Sequence, residues 1–314
     1  MTANSITLLG AGTIGTSWAA LFLSRGADVT VFDPNNTALM MSKEQVKSAW
    51  QDLLALNPTI GEPAWDRLKL TTDMRQACNK PDWVQENAPD RLDLKQEVLG
   101  QAERYLPFDT PIASSTTALL ATDIQNAMRH PERFLVGHPF NPPHLIPLVE
   151  IVCGNKTGTA MLERAKAFYE RYGKEVVIAK REAVGHIANR LNAALYREVV
   201  HMVESGIATV EDIDRAVKHG PGLRWAFLGP NMVYHLGGGD GGYSQYLEHL
   251  GPSQEARWLD LGTATLDKEI KAKLVSQFEK SLNGETMSDL RKHRDSALIG
   301  LLKLKKQLTE DHSL

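Results

Sequence analysis

Residues 6–15 read Ile-Thr-Leu-Leu-Gly-Ala-Gly-Thr-Ile-Gly, and most of the information about the fold begins here. A short strand-like run ends at Leu9, and an apolar pattern typical of a helix extends from Ile14 to Ser24. In such a unit the first glycine permits a tight turn, the second leaves room for a pyrophosphate, and the third lets the helix pack close to the strand. The sequence therefore predicts dinucleotide contacts at Gly10, Gly12, Thr13, Ile14 and Gly15.

Asp33 ends the next predicted strand, about one crossover helix after the glycine motif. A carboxylate at this place accepts hydrogen bonds from an adenosine ribose and repels a 2′-phosphate, so it favours NAD over NADP. The following residues 34–36, Pro-Asn-Asn, bring no cation that would reverse this preference. A glycine turn without any cofactor and an FAD site are the alternatives, although an FAD fold needs more chain than remains here.

Short strand-like runs alternate with longer helical patterns over the first 180 residues, which is typical of an α/β protein with a mostly parallel sheet and helices on both faces. Strands are predicted at 6–9, 28–32, 68–71, 83–84, 111–113, 134–136, 148–152 and 175–179. Helices are predicted at 14–24, 37–56, 92–105 and 160–172. This alternation of strands and helices is typical of a Rossmann-type domain.

The pattern becomes wholly helical after about Lys180, with helices predicted at 210–218, begun by Thr209 as an N-cap, and at 290–308. The change predicts an NAD-binding domain at 1–182 and an all-helical substrate and dimerisation domain at 183–314. The leucine-rich last helix is either part of a core or a dimer surface. We expect a homodimer through the helical domain.

Composition excludes several classes of protein. The 35 Lys and Arg residues against 38 Asp and Glu residues leave a formal charge of -3, so no basic surface is available for nucleic acid. No run approaches the ~18 apolar residues of a membrane helix. The two cysteines are far apart, and neither Cys-x-x-Cys nor paired histidines on one helix face suggest a metal. We expect a cytoplasmic protein without metal.

His138 is the strongest candidate for a catalytic base, because it lies at the carboxyl end of an apolar strand, where α/β sheets bind their ligands. Oxidation of an alcohol by hydride transfer releases a proton, and histidine is the side chain that titrates near neutral pH. Glu150 lies within the next apolar run, and the intervening Asn-Pro-Pro turn brings it back against His138. A buried carboxylate needs such a partner, which leaves either a catalytic pair or a structural ion pair.

Several motifs together resemble the 3-hydroxyacyl-CoA dehydrogenase superfamily, and within it the branch of lambda-crystallin (L-gulonate 3-dehydrogenase) and L-carnitine dehydrogenases. The motifs cover nearly the whole chain: LLGAGTIG (8–15), ENAPDRLDLK (86–95), SSTTALL (114–120), GHPFNPP (137–143), PLVEIV (147–152), GHIANRL (185–191) and GPGLRWAFLGP (220–230). The resemblance implies an NAD-dependent dehydrogenase that converts a 3-hydroxyl group into a ketone.

The resemblance also implies roles for individual residues. His138 would be the acid and base, Glu150 its orienting partner, and Asn189 a hydrogen-bonding group near the substrate oxygen. Thr117 stands where the family has a catalytic serine, with Ser115 as a neighbouring hydroxyl for the substrate. The implied cofactor contacts beyond the glycine loop and Asp33 are Asp90, which replaces a glutamate, together with Lys95 and Asn141.

Arg224 and Trp225 distinguish this chain from acyl-CoA enzymes, whose corresponding loop lacks the Arg-Trp pair. An arginine fork suits a free carboxylate, and a tryptophan can stack against a quaternary ammonium. A helix-cap or interface ion pair for Arg224 and a core position for Trp225 are the alternatives. We expect a small free 3-hydroxy acid, gulonate- or carnitine-like, as substrate. A short-chain 3-hydroxyacyl-CoA dehydrogenase and a non-catalytic crystallin-like or NAD-sensing protein remain alternatives.

Overall fold

Eight strands form one sheet in the computed structural model, which describes residues 4–282 and 284–311. The strands are β1 (Ser5–Leu9), β2 (Asp28–Phe32), β3 (Leu68–Thr71), β4 (Trp83–Glu86), β5 (Ile112–Ser114), β6 (Phe134–Pro139), β7 (Leu148–Val152) and β8 (Glu175–Ala179). Their order is β3-β2-β1-β4-β5-β6-β7-β8, and all neighbours are parallel except β6 and β7. The predicted fold class, a mostly parallel Rossmann-type sheet, is confirmed.

Helices connect these strands. They are α1 (Thr13–Ser24), α2 (Asn36–Leu56), α3 (Met74–Ala77), α4 (Leu92–Ala102), α5 (Ala121–Gln125) and α6 (Thr159–Arg171), with 3₁₀ turns at Pro58–Ile60, Trp65–Arg67 and Pro131–Arg133. Asn35 caps α2, because its side-chain oxygen accepts a hydrogen bond from the Thr37 amide at 2.9 Å. The sequence did not predict α3 and α5, since four or five residues are too few to show a helical repeat.

Two hydrophobic cores lie on opposite faces of the sheet. Successive strand residues point to opposite faces, so Leu8 belongs to one core and Leu9 to the other. Helices α1, α2 and α6 cover the first core, where the Trp83 and Phe168 rings stack with centroids 4.0 Å apart. Helices α3, α4 and α5 cover the second core. Because both faces are buried, the side chains that remain accessible for chemistry concentrate at the strand ends.

The strand order reverses at β1, which has β2 on one side and β4 on the other. At such a switch point the connections leave in opposite directions, and a crevice opens beyond the carboxyl ends of the two central strands. The carboxyl ends of β1 and β4 lead directly into Gly10 and Asn87. The fold therefore positions the glycine loop at the edge of this crevice.

The described chain divides into two compact units: one comprises the residues up to Arg190 together with those from Arg291 onward, and the other comprises Leu191–Leu290. The division predicted from sequence, 1–182 and 183–314, differs by assigning the end of the chain to the second part. The sequence alone does not show which of the two units a helix at the end of the chain packs against. The boundary at 182 and 183 stays a prediction.

The described residues from Ala188 onward contain helices and no strand. The helices are α7 (Ala188–Glu204), α8 (Val210–His219), α9 (Pro221–Trp225), α10 (Pro230–Gly237), α11 (Gly242–Asp260), α12 (Lys268–Ser281) and α13 (Met287–Asp311), with a 3₁₀ turn at Gly239–Gly241. Thr209 caps α8 as predicted, because its hydroxyl accepts the Asp212 amide at 3.1 Å. None of the described helices combines the length and the apolar character that crossing a lipid bilayer requires.

Candidate active site

The glycine loop between β1 and α1 has the geometry that its spacing predicts. Gly10 has a φ of +111°, a conformation that an L side chain rarely adopts, and a Cβ on Gly15 would lie 2.0 Å from the Gly10 carbonyl oxygen. A Cβ on Gly12 would have no neighbour within 4 Å in the described part of the chain. Two glycines thus let the strand and helix approach each other, and the third borders open space at the start of α1.

Asp33 connects the end of β2 to the glycine loop. One of its carboxylate oxygens accepts the Ala11 amide at 2.9 Å, and the other accepts the Asn35 amide at 2.8 Å. A carboxylate has about four acceptor sites, so two remain for a ligand. Asp33 borders a crevice of about 560 Å³. Its remaining acceptors would suit the hydroxyls of an adenosine ribose.

Most of the predicted cofactor contacts border this crevice. They are Gly10, Gly12, Thr13, Ile14, Asp33 and Asp90. The open space over Gly12 accommodates a pyrophosphate against the amides of the first turn of α1, and Asp33 offers acceptors for an adenosine ribose. These residues therefore fit NAD, and they would hold its diphosphate and ribose.

Lys95 is not among the residues that border the crevice, and its predicted contact with the cofactor stays a prediction. Its ammonium is 1% exposed and donates to the two carboxylate oxygens of Glu86, at 2.9 and 3.0 Å, and to the Ala88 carbonyl at 2.8 Å. All three hydrogens of the ammonium have acceptors within the protein, so none remains for a ligand in this arrangement. Lys95 holds the chain at the carboxyl end of β4.

Thr117 and Asp90 form a pair at the edge of the crevice. The Thr117 hydroxyl donates to the Asp90 carboxylate, and the Thr117 amide donates to the same oxygen at 2.8 Å. Burial favours the neutral form of Asp90, but hydrogen bonds from Thr116 and Thr117 and the charge of Lys95 outweigh it and lower the Asp90 pKa. Thr117 thus has its hydroxyl hydrogen committed, while its oxygen lone pairs remain available.

The Ser115 hydroxyl is bonded to three protein partners, and its predicted contact with the substrate stays a prediction. Its hydroxyl accepts from the Trp18 indole at 3.3 Å and from the Gln85 amide at 2.9 Å, and it donates to Asn87 at 2.8 Å. A hydroxyl has one hydrogen and two acceptor sites, and all three are used. Ser115 borders the crevice but is saturated by protein partners, so its observed role is to join β4 and α1.

His138 and Glu150 form the pair that the sequence predicts. They are direct partners in the antiparallel register of β6 and β7. His138 Nδ1 and the Glu150 carboxylate are 2.8 Å apart, and the two side chains are 3% and 0% exposed. With Glu150 as acceptor, Nδ1 carries the hydrogen of the neutral ring, and Nε2 keeps its lone pair.

The second oxygen of Glu150 is held by the chain that leads into α7. The amides of Ile187 and Ala188 both donate to this oxygen at 2.9 Å. Burial favours the protonated form of Glu150, but the hydrogen bonds from His138, Ala188 and Ile187 outweigh it, so the Glu150 pKa is lowered. Asn189 follows in the first turn of α7 and is half-buried. The site is therefore built from β6, β7 and the start of α7.

His186 is a member of this cluster that the sequence did not single out. Its ring centroid is 5.2 Å from that of His138, it is 3% exposed, and one ring nitrogen bonds to the Thr116 carbonyl at 3.1 Å. The motif GHIANRL contains it, but no local pattern shows that its ring is directed toward a strand 48 positions earlier in the chain. Only the tertiary fold reveals the contact.

Asn141 lies in the β6–β7 turn, is exposed, and borders a cleft other than the glycine-loop crevice. Its predicted cofactor contact stays a prediction. The neighbouring His144 has a structural role, because it bonds to the Ser17 hydroxyl at 2.8 Å and to the Asp52 carboxylate at 3.1 Å.

Arg224 and Trp225 are the last two residues of α9 in the Leu191–Leu290 unit. The Trp225 side chain is 46% exposed, so it is not a core residue of that unit. Arg224 is exposed, and none of the ion pairs among described residues involves its guanidinium. Arg224 lies in the last turn of α9, where a cation interacts favourably with the helix carbonyls, so the helix-cap and interface alternatives stay open.

Known proteins resemble this chain over almost its full length. The chain is 43% identical over 298 residues to an L-carnitine dehydrogenase of Streptomyces coelicolor, which covers 95% of this chain and 93% of the relative. It is 36% identical to an L-carnitine dehydrogenase of Pseudomonas putida over 98% of this chain and 95% of the relative.

Solved structures share the fold. An NAD+-dependent dismutase, 5-formyl-3-hydroxy-2-methylpyridine 4-carboxylic acid 5-dehydrogenase, superposes with a TM-score of 0.82 at 26% identity over 96% of this chain and 98% of that chain. An (S)-3-hydroxybutyryl-CoA dehydrogenase from Ralstonia eutropha gives a TM-score of 0.65 at 25% identity, over 75% of this chain and 82% of that chain.

Two family models cover the chain in succession. The NAD-binding domain of 3-hydroxyacyl-CoA dehydrogenase matches residues 5–183, and the C-terminal domain of the same family matches residues 185–273. The match of the first model agrees with the glycine loop, Asp33 and the crevice between them. This chain therefore belongs to the 3-hydroxyacyl-CoA dehydrogenase family and is an NAD-dependent dehydrogenase that acts on a CH–OH group.

Proposed function

We propose that the protein reversibly oxidises the 3-hydroxyl group of a small free hydroxy acid, carnitine- or gulonate-like, to the 3-keto acid. The observation that carries this proposal is the buried His138–Glu150 pair, with Nδ1 and the carboxylate 2.8 Å apart. It supplies a base oriented by an acidic partner in a family of NAD-dependent dehydrogenases. The relatives named L-carnitine dehydrogenase, with 36–43% identity over nearly the whole chain, support a free acid as the substrate.

His138 takes the hydroxyl proton on Nε2 during oxidation. Bound NAD would accept the hydride that leaves the carbon bearing this hydroxyl group. As the proton arrives, the His138 ring becomes a cation beside the Glu150 carboxylate, whose other oxygen is fixed by the Ile187 and Ala188 amides. The negative charge of Glu150 stabilises this cation, and the amides prevent the carboxylate from rotating away. In ketone reduction the same proton returns from Nε2 to oxygen.

Thr117 and Asn189 have different capacities as substrate contacts. Because the Thr117 hydroxyl donates its hydrogen to Asp90, its oxygen can accept a hydrogen bond from the substrate alcohol but cannot donate to the ketone. Asn189 carries an amide that can do both, and we assign to it the donor to the ketone oxygen. Thr117 can therefore form a hydrogen bond with the alcohol only, whereas Asn189 can form one with either the alcohol or the ketone.

Arg224 is the residue we propose for the free carboxylate, because its guanidinium is exposed and a planar fork binds a carboxylate with two hydrogen bonds. Trp225 exposes 46% of its surface on the same helix and offers a ring face to a quaternary ammonium. A carnitine-like acid carries both groups, whereas a gulonate-like acid carries only the carboxylate.

A substrate panel with NAD tests the function. L-Carnitine, L-gulonate, L-3-hydroxybutyrate and a 3-hydroxybutyryl thioester are each followed by the absorbance of NADH. We expect turnover of at least one free acid that exceeds turnover of the thioester. Faster turnover of the thioester would select the acyl-CoA alternative, and no turnover with intact NADH binding would favour a non-catalytic role.

The role of His138 is tested by His138→Gln, which keeps a polar side chain but removes the base. We expect loss of most turnover at unchanged NADH affinity, measured by NADH fluorescence. Undiminished turnover would refute the assignment.

Since oxidation releases a proton, it should be favoured at alkaline pH, and ketone reduction at neutral or acidic pH. The opposite order would contradict the proposed proton transfer.

We also propose a homodimer formed through the helical part of the chain. Twenty of the thirty exposed large hydrophobic side chains among the described residues belong to the Leu191–Leu290 unit, which is less than a third of the chain. Apolar surface on this scale is typical of protein interfaces.

Cys78 and Cys153 are both unpaired, which agrees with the reducing environment of the cytoplasm, the location that we propose.

A further inference from the structure

His186 carries two free-energy penalties that a purely structural residue would not need: strained backbone and a buried polar atom without a partner in the described part of the chain. Its φ of 51° lies in the left-handed region, which is unfavourable for any residue with a Cβ, and its ring is 3% exposed. Among the described residues, its buried Nδ1 has no hydrogen-bond partner. Strained backbone and an unsatisfied buried nitrogen in one residue are features that concentrate at functional sites.

One contact determines which nitrogen of the His186 ring carries a hydrogen. Nε2 lies 3.1 Å from the Thr116 carbonyl oxygen, and since a carbonyl can only accept, Nε2 must carry the hydrogen. In the neutral ring Nδ1 then keeps an unshared lone pair, whereas in the doubly protonated ring its hydrogen would have no acceptor among the described residues. The charged groups that act on this ring are His138, Glu150 and Asp90, and no carboxylate bonds to Nδ1 among the described residues. The ring is thus constrained to one neutral tautomer.

His186 also joins the three segments that build the site. Its Nε2 holds the carbonyl of Thr116, which precedes Thr117. Its ring lies at 5.2 Å, centroid to centroid, from the His138 ring. The two residues that follow it donate the amides that hold Glu150. Any displacement of His186 therefore shifts Thr117, Glu150 and the face of His138 together.

We propose that His186 is a positioning residue for proton transfer, which fixes Thr117 relative to His138 through the Thr116 carbonyl and stays neutral beside the base. This inference rests on the proposed function of His138. Neutrality matters because a second cation at this distance would oppose the positive charge that His138 acquires during oxidation. Burial, above all, and the charge of His138 both lower the His186 pKa, although the Thr116 carbonyl and the nearby carboxylates act against them.

Three substitutions of His186 test the proposal. Gln places its amide nitrogen near the position of Nε2 and can restore the bond to Thr116, whereas Asn places its amide near Nδ1 and cannot. Phe keeps the ring without either nitrogen. With L-carnitine, or the acid of the panel that is oxidised fastest, we expect kcat to fall at least tenfold for H186N and H186F. We expect H186Q to retain at least a third of the wild-type kcat.

Two further measurements separate positioning from folding. The KM for the acid and the NADH dissociation constant should stay within twofold of wild type in all three variants. His130→Gln, a substitution of a histidine that is 42% exposed, is the matched control and should leave kcat unchanged. Equal kcat in H186Q and H186N, wild-type kcat in H186F, or parallel losses of stability and NADH affinity would each overturn the proposal.

The substrate panel and His138→Gln together distinguish failure of this proposal from failure of the proposed function. No turnover of any panel acid by the wild type removes the function, and turnover that survives in H138Q removes His138 as the base. An inactive H138Q with a fully active H186F removes only the role of His186. A measurement independent of turnover is histidine ¹⁵N NMR, with the resonance assigned by H186Q. We expect the His186 ring to remain in the Nε2–H form at pH 6. A doubly protonated ring at that pH would overturn the proposal.

Discussion

Glu150 has a different partner on each carboxylate oxygen, His138 on one and the Ile187 and Ala188 amides on the other. Glu150→Gln keeps an acceptor for the amides but removes the charge that stabilises the His138 cation. We expect kcat to fall about a hundredfold, which corresponds to about 2.7 kcal/mol of transition-state stabilisation. Steady-state kinetics check this value, and an unchanged kcat would show that the pair is structural.

The lowered Glu150 pKa adds a prediction about pH to this experiment. Since Glu150 is ionised well below neutral pH, its own titration does not limit activity in the neutral range. Any loss of activity between pH 6 and 8 should therefore come from other groups. Carboxylate ¹³C NMR should show Glu150 ionised throughout this range, and a protonation step of Glu150 within it would contradict the lowered pKa.

Lys174 is a buried charge away from the proposed chemistry. Its ammonium donates to the carbonyls of Pro143 and Ile146, and it lies 4.9 Å from the centre of the Trp18 ring. Burial, with a contribution from the charge of Arg25, lowers its pKa from 10.5 to about 7. Lys174 therefore supports the β6–β7 turn by hydrogen bonds while its charged form is disfavoured.

This shift predicts how stability depends on pH. Between about pH 7 and 10.5 the unfolded chain binds a proton at Lys174 that the folded protein has released, so this residue makes stability rise with pH across that window. Lys174→Met fills the same space without titrating. We expect the difference in melting temperature between wild type and K174M to move in favour of wild type from pH 7 to pH 10. A constant difference would contradict the shifted pKa.

The loop between β1 and α1 makes a prediction for two glycines. A Cβ on Gly15 would lie 2.0 Å from the Gly10 carbonyl oxygen, whereas a Cβ on Gly100 in α4 would meet none of the described residues within 4 Å. Gly15→Ala should cost about 1–3 kcal/mol of stability and weaken NADH binding by at least about tenfold. Gly100→Ala should stabilise α4 by about 0.5–1 kcal/mol and leave NADH binding unchanged. Chemical denaturation and NADH fluorescence measure both effects.

The β6–β7 hairpin shows what could be predicted from the sequence. Two apolar runs and an Asn-Pro-Pro turn suffice to pair the strands, and the observed register brings His138 opposite Glu150. The glycine loop and Asp33 were predictable for the same reason, since spacing along the chain fixes their local geometry. The fold class follows from the alternation of strands and helices over the first 180 residues.

Side chains that depend on distant partners could not be predicted. Lys95 has its ammonium enclosed by Glu86 and Ala88, and the hydroxyl of Ser115 is saturated by Trp18, Gln85 and Asn87. In a motif both residues look available for a ligand. Whether a polar side chain faces a ligand or a protein partner depends on contacts between segments far apart in sequence, which spacing does not encode.

The distribution of apolar surface is a property of the whole molecule. In the Leu191–Leu290 unit the buried cluster is small, consisting of Val200, Val203, Val210, Ile213 and Ile270. Large side chains of the same unit remain exposed, among them Leu259 at 90% and Trp258 at 60%. At about 25 cal/mol per Å² of apolar surface, covering such residues yields a substantial free energy of association. A second copy of the chain is the partner that we propose.

Light scattering at micromolar concentration tests this proposal, and we expect twice the monomer mass. The double substitution Trp258→Lys/Leu259→Lys places charges on the exposed face of α11 and should shift the protein toward monomer if this face is buried in the dimer. Met40→Lys/Met41→Lys, at side chains 68% and 57% exposed on α2, is the matched control and should remain dimeric. A wild-type monomer would refute the dimer, whereas an unaffected W258K/L259K dimer would move the interface to another face of the helical unit.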